Sequence, residues 1–191
     1  MKLYEFIKGF ARVYPLLTYI STFFMFFFTN DIDLLFFTLF IFINEISNHI
    51  LKQYIFRPVM KNKKLDILGY GKRPNEAKYC NLFITKGNGK PSKSSYGMPS
   101  GHSQNAVFFS TYIILNMMDT MSNNFTRMIG MIIFILLPLG IMYSRVYFKC
   151  HTIEQVIIGG LFGFLISNLC YNNKEIIKNY INLRVMGLNK V

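Results

Sequence analysis

Acidic side chains are scarce in this chain: nine Asp and Glu stand against 21 Lys and Arg, a formal net charge of +12 over 191 residues. No group of carboxylates resembles a Mg²⁺ site, so neither a metal nor any other cofactor is expected. Cysteine is nearly missing. Cys80, Cys150 and Cys170 are an odd number without Cys-x-x-Cys spacing, which points to neither zinc nor a disulfide framework. Cys150 adjoins His151, and a free, partly buried thiol is the expectation there. Histidine occurs only at positions 49, 102 and 151. Repeats, low-complexity tracts and a disorder-like composition are all missing. The first apolar run ends in Phe26-Phe-Phe-Thr-Asn30, which lacks a small-residue cleavage pattern, so it reads as a retained helix rather than a cleaved signal.

What the chain has in quantity is apolar surface: 52% of residues are hydrophobic and the mean hydropathy is +0.30. A basic chain first suggests nucleic acid as partner. Here the basic residues interleave with runs of membrane-spanning length, which favours a membrane with anionic lipid and no nucleic acid. Residues 1–14 read as an interfacial amphipathic segment, with Lys2, Lys8 and Arg12 among Leu3, Phe6, Ile7, Phe10 and Val13. Five apolar spans follow, at about 13–29, 32–55, 103–118, 126–148 and 152–171. Residues 174–191 form a polar tail with an amphipathic pattern. The expected fold is therefore all-α: one integral membrane domain over residues 1–191, a polytopic bundle of about five transmembrane helices.

Polar residues punctuate that pattern. Glu45, Asn48, His49 and Lys52 recur at i, i+3, i+4 and i+7 in the second span, one stripe that reads as a wall of a wet cavity. Residues 57–96 form a long polar loop carrying most of the basic side chains, suited to anionic lipid or a phosphate headgroup. Gly159-Gly160-x-x-Gly163 in the last span allows a neighbouring helix to approach closely. Counting spans brings the end of the second, the start of the third and the end of the fourth to the same face of the membrane.

Two motifs lie on that face. Gly97-Met-Pro-Ser-Gly-His-Ser-Gln104 opens the third span. Ser100 suits an N-cap, Gly101 lets an anion approach the backbone, and His102 sits in the first turn, where unpaired N–H groups and the helix dipole favour negative charge. Alone, the octet could be an ordinary helix cap. Ser144-Arg145, five residues, His151, three residues and Gln155 add a second cluster with a cation, a second imidazole and an amide.

The pair of motifs resembles the type 2 phosphatidic acid phosphatase (PAP2) superfamily, over roughly residues 52–163, and within it the dolichyldiphosphatase branch, where Gln commonly replaces the final Asp as at Gln155. The resemblance implies a PAP2/haloperoxidase-like helical core and a metal-independent phosphatase. By the same resemblance His151 is the nucleophile that forms a phosphohistidine, His102 the acid and base, and Arg145 a grip on phosphate oxygens. Ser100 and Gly101 add donors, Lys52 adds charge, and Gln155 orients His151. The family's first motif, Lys-x6-Arg-Pro, is irregular here: Arg57-Pro58 comes too early after Lys52 and Arg73-Pro74 too late. Five helical residues turn roughly 140° away from Lys52, so the reading leans to Arg73, with Arg57 as the alternative.

The implied substrate is a lipid diphosphate of polyprenyl or dolichyl type. Alternatives are phosphatidic acid or another lipid monophosphate, and a catalytically weak protein that binds lipid phosphate. Soluble haloperoxidases are excluded by the apolar spans. The implied location is an endoplasmic-reticulum-like or other internal membrane. Loop charge places the site face in the cytosol, and the resemblance places it on the lumenal side, so both orientations stay open. Nothing in the sequence speaks to oligomeric state.

Overall fold

All five apolar runs become helices in the computed structural model, which describes residues 3–61, 63–80 and 96–187. The first, α1 (Leu3–Thr29), runs unbroken through Pro15. Thr18 Oγ1 donates to the Pro15 carbonyl at 2.8 Å and lies 3.2 Å from Asn105 Oδ1, so polar groups inside the bundle satisfy one another. The stretch before Pro15 is continuous with the span and not a separate surface helix. Ala11 and Tyr14 are buried with Ala106 and Ile141.

Asp31 caps α2 (Ile32–Ile50) by accepting the Asp33 N–H. The same rod continues through a π-helical turn, Leu51–Phe56, into the short α3 (Arg57–Met60). The loop beyond is not featureless: β1 (Lys64–Leu65) and β2 (Gly69–Tyr70) pair antiparallel as a small hairpin. Lys86, Lys90 and Lys93 of the expected basic loop lie outside the described residues. Next come α4 (Gly101–Thr120), α5 (Asn124–Tyr147), α6 (Ile153–Asn172) and α7 (Lys174–Gly187). Lys178 of α7 pairs with Asp33 at the start of α2.

Four helical stretches, Tyr4–Thr29, Ile32–Met60, Asn124–Tyr147 and Ile153–Asn172, are long and apolar enough to cross a membrane. The third expected span, α4, has comparable length at 20 residues but buries Ser103, Gln104, Asn105 and Ser110. It is the central helix, packed against α2, α5 and α6, so its polar side chains meet protein rather than lipid. Phe23, Phe27, Phe28, Ile132 and Leu136 point outward, as expected of helices solvated by hydrocarbon.

The tightest packing is α4 on α6. A Cβ at Gly159 would stand 2.4 Å from the Ser100 carbonyl oxygen, and one at Gly163 would stand 2.3 Å from that of Gln104. Only hydrogen fits between these backbones, and the small-residue stripe serves this contact. On the other side of α4, Phe37 stacks on Tyr112 with centroids 4.2 Å apart, inside an aromatic core with Phe36, Phe40, Phe108 and Tyr171.

Candidate active site

Four chain segments meet at one end of the bundle. Ser100 begins α4 in an extended conformation, its Oγ accepting the Ser103 N–H and lying 2.9 Å from Ser103 Oγ. Its own N–H donates to the Gln155 carbonyl at 2.9 Å, which pins the start of α4 to the start of α6. Gly101 follows. A Cβ there would stand 2.9 Å from Asn48 Oδ1 and 3.3 Å from Lys52 Nζ, so the ammonium of the second span lies beside the first turn of α4. His102 Nε2 lies 3.2 Å from the Arg12 carbonyl, a backbone partner in α1 that the motif spacing did not reveal.

The stripe of the second span is turned from its expected setting. Asn44 and Asn48 are buried, whereas Glu45 and His49 are exposed. Asn48 Nδ2 donates to Gln104 Oε1 at 2.7 Å, and Gln104 Nε2 donates to the Asn44 carbonyl, Asn44 Oδ1 and Ser47 Oγ at 2.9–3.0 Å. The wall is therefore Asn44, Asn48 and Lys52. The correction is geometric: residues four apart stay on one helical face, and a π-turn changes the register just where Lys52 stands.

The α5–α6 corner builds the other half. Lys149 adopts the left-handed conformation, with φ 54°. Its N–H bonds the Val146 carbonyl, and the Cys150 N–H bonds the Arg145 carbonyl at 2.9 Å, a Schellman cap without its usual glycine. The His151 N–H bonds the same Arg145 carbonyl at 3.1 Å, so Arg145 and His151 are locked together by backbone. Thr152 then caps α6, with Gln155 completing a capping box from the third helical position.

Gln155 does more than cap. Its Oε1 lies 2.9 Å from His151 Nδ1, and its Nε2 donates to the Tyr70 and Lys72 carbonyls, each at 2.7 Å. Those two acceptors fix which end of the amide faces His151. The Nδ1 position therefore carries the proton, and the lone pair is on Nε2. Arg73 Nη1 lies 2.7 Å from that Nε2 and donates to the Cys150 carbonyl at 3.1 Å. Burial holds the His151 imidazole well below the ordinary histidine range, and the positive charges of Arg73, Arg145 and Lys52 add to the shift. Burial also lowers the Arg73 guanidinium to about 10.

Of the two Arg-Pro pairs, the structure brings Arg73 to His151. Arg57 is exposed and donates to Gln53 Oε1 at 2.8 Å. Arg145 is almost wholly buried. One of its Nη groups donates to the Cys80 carbonyl, and its Nε–H has no hydrogen-bond partner among the described residues. A buried guanidinium donor without an acceptor is costly and suits an anion.

The expectation of a free thiol at Cys150 is overturned. Cys80 and Cys150 form a disulfide across 70 residues, and Cys170 alone is a free cysteine. Spacing carried no signal because the pair meets through the fold of the long loop.

One cavity is lined by Arg73 of the cluster, and a second lies between α1 and α5. A polar cleft of about 420 Å³ is lined by Tyr70, Lys72, Arg73, Pro74, Asn75 and Thr152. An apolar groove of about 470 Å³ lies between α1 and α5, with Phe10, Ala11, Leu137 and Ile141 among its walls and Ser144, the neighbour of Arg145, at its edge.

A family model described as the PAP2 superfamily matches residues 33–177. Dolichyldiphosphatase 1 of Homo sapiens is 39% identical over 82 residues, which is 39% of this chain and 34% of the relative. Dolichyldiphosphatase of Saccharomyces cerevisiae is 35% identical over 104 residues, 50% of this chain and 44% of the relative. The matched stretch thus spans less than half of either relative's own length. A transmembrane PAP2-type phosphatidylglycerolphosphate phosphatase from Bacillus subtilis superposes with a TM-score of 0.64 at 21% identity, over 93% of this chain and 80% of that one, a likeness of fold.

Proposed function

The chain belongs to the PAP2 superfamily, and from that premise we propose that it is an integral membrane phosphatase acting on a lipid diphosphate, of polyprenyl or dolichyl type, through a phosphohistidine intermediate. The observation that carries this reading is the state of His151: Gln155 occupies its Nδ1, and the lone pair of Nε2 faces a cationic wall. A neutral imidazole with a directed lone pair is a nucleophile, and a wall of guanidinium and ammonium groups is a phosphate site.

In this mechanism the terminal phosphate displaces the Arg73 N–H from Nε2 and takes it as a ligand on an equatorial oxygen. Arg145 supplies its Nε–H, Lys52 its charge, and Ser100 with the N–H groups of Gly101 and His102 the remaining donors. The Nε2 lone pair attacks phosphorus as the bond to the lipid phosphate oxygen breaks. His102 enters this step as an imidazolium, its Nε2–H held on the Arg12 carbonyl, and gives the leaving oxygen the proton of Nδ1. It then takes one from water as the resulting hydroxide attacks the phosphohistidine, releasing inorganic phosphate and restoring His151. The apolar groove ending at Ser144 suits the hydrocarbon of the lipid. The diphosphate assignment draws on the names of the relatives.

The test is phosphate release from a long-chain polyprenyl diphosphate in detergent with EDTA present. Turnover that His151→Ala abolishes is the expected result. Release from phosphatidic acid alone would reassign the substrate to lipid monophosphates, and activity that persists in His151→Ala would overturn the mechanism.

A further inference from the structure

We propose that the Cys80–Cys150 disulfide is a positioning device for the phosphate-gripping arginines, acting through the backbone carbonyls of its own two cysteines. The inference rests on the phosphate-site reading above. The Cys80 carbonyl accepts from Arg145 and the Cys150 carbonyl accepts from Arg73. Each guanidinium is thus held by one half of the cystine. The sulfur bridge fixes the distance between the two holders.

The arrangement closes a ring. Arg145 is tied by its own carbonyl to the N–H groups of Cys150 and His151. Cys150 is bonded to Cys80, and the Cys80 carbonyl returns to the Arg145 side chain. Arg73 enters the same ring seven residues before Cys80. Among the described residues, the intervening segment has one internal backbone hydrogen bond, from the Ala77 N–H to the Pro74 carbonyl at 3.1 Å, and Ala77 packs on the cystine itself. Its upstream end is held at Gly71, whose carbonyl accepts from Gly97 and Met98, and by Gln155 on Lys72. Its downstream end is held by the disulfide. Cys80 and Cys150 are both nearly inaccessible and pack with Ala77 and Phe148, so the bridge is an internal part of the site wall.

Opening the bridge leaves the lysine, the histidines and the α4 start unchanged, but frees the Cys80 carbonyl from its place under Arg145. A guanidinium must be fixed within a fraction of an ångström to serve a phosphate with two donors. The expected consequence is weaker anion binding. Thiol–disulfide exchange with a dithiol such as dithiothreitol breaks the Sγ–Sγ bond, leaves a protonated thiol on each cysteine and converts the dithiol to its cyclic disulfide.

The experiment uses the full chain in detergent. Alkylation under denaturing, non-reducing conditions should count one thiol, that of Cys170; three thiols would overturn the proposal. Inorganic phosphate is the probe, read as product inhibition and as the rise in Tm it produces. In Cys80→Ser/Cys150→Ser the phosphate inhibition constant and KM should rise about tenfold while kcat changes less, and Cys170→Ser should leave all three unchanged. Should the double variant fold poorly, prolonged dithiothreitol treatment of the wild-type chain gives the same comparison, read only on samples in which the alkylation count has risen from one thiol to three, which shows the buried bridge open. A bridge that only stabilises the fold would lower Tm and the active fraction with KM and the inhibition constant unchanged, and that result overturns the positioning role. The phosphate-induced rise in Tm needs no turnover. A smaller rise on loss of the bridge, with no lipid phosphate hydrolysed, would sink the phosphatase reading and leave this one standing.

Discussion

Gln155 Oε1 sits 2.9 Å from His151 Nδ1, and the nitrogen of the same amide holds the carbonyls of Tyr70 and Lys72. One side chain therefore sets the imidazole tautomer and ties the loop carrying Arg73 to α6. A carboxylate could do the first task but not the second, because its other oxygen would face two carbonyl oxygens. Gln155→Glu, which keeps shape and adds that repulsion, should lower kcat/KM by about 10- to 100-fold. Steady-state kinetics on a polyprenyl diphosphate would check it. A variant as active as wild type would show that the loop clamp is dispensable.

Arg73 and Arg57 give a paired prediction. Arg73 lies against His151, and Arg57 is exposed on Gln53. Arg73→Ala should cost about 10²- to 10³-fold in kcat/KM, the scale for a donor lost from a transition-state site, and Arg57→Ala less than about threefold. The reverse order would move the first-motif role back to Arg57.

His151 should stay neutral through the physiological range. Its native state resists protonation, because burial and then the charges of Arg73, Arg145 and Lys52 hold it well below 6.5. The unfolded chain takes up that proton near 6.5, so below this pH the unfolded state binds more protons and stability falls as pH falls. NMR of ¹⁵N-histidine in the phosphate-free protein should find a neutral Nδ1–H imidazole at pH 6. A titration midpoint at 6.5 or above contradicts this.

The α4–α6 contact predicts a steep cost for a single methyl group. Gly163→Ala puts Cβ 2.3 Å from the Gln104 carbonyl oxygen, a clash with backbone that cannot swing aside. A loss of about 1–3 kcal/mol in stability is expected, with larger side chains worse. Thermal melts in detergent measure it, and an unchanged Tm would show that the helices separate freely.

The disulfide bears on orientation. Structural disulfides persist in oxidising compartments, so the face carrying His151 is predicted to lie on the lumenal or exterior side. The prediction goes against the loop charge, because on the proposed mechanism a loop cation such as Arg73 serves the substrate rather than topology. A glycosylation acceptor placed at Ile67, which is 88% exposed in the hairpin turn, should be modified in eukaryotic microsomes. One placed at Met121 between α4 and α5 should not. The opposite pattern would put the site in the cytosol.

Much of this was legible in the residues themselves. The apolar runs specified the helices, and the motif residues His102, Arg145, His151 and Gln155 carried their spacing in plain sight. Lys52 could be picked out because a cation at the end of an apolar run is costly without a purpose. Other features depend on the folded loop. Cys80 and Cys150 are 70 residues apart and meet only when the 71–80 segment folds onto the α5–α6 corner. Arg73 reaches the site for the same reason. Ideal helical spacing points Glu45 and His49 to the cavity, but the inward face runs through Asn44 and Asn48, and no residue pattern announces the π-turn at Lys52.

The central claim is that His151 takes the phosphoryl group. The most direct measurement is rapid-quench labelling with a polyprenyl diphosphate carrying ³²P in its terminal phosphate. Acid-labile, base-stable label on the peptide containing His151, formed and lost at the rate of turnover and missing in His151→Ala, is the predicted result. Turnover without protein-bound label, continuing in His151→Ala, would contradict it.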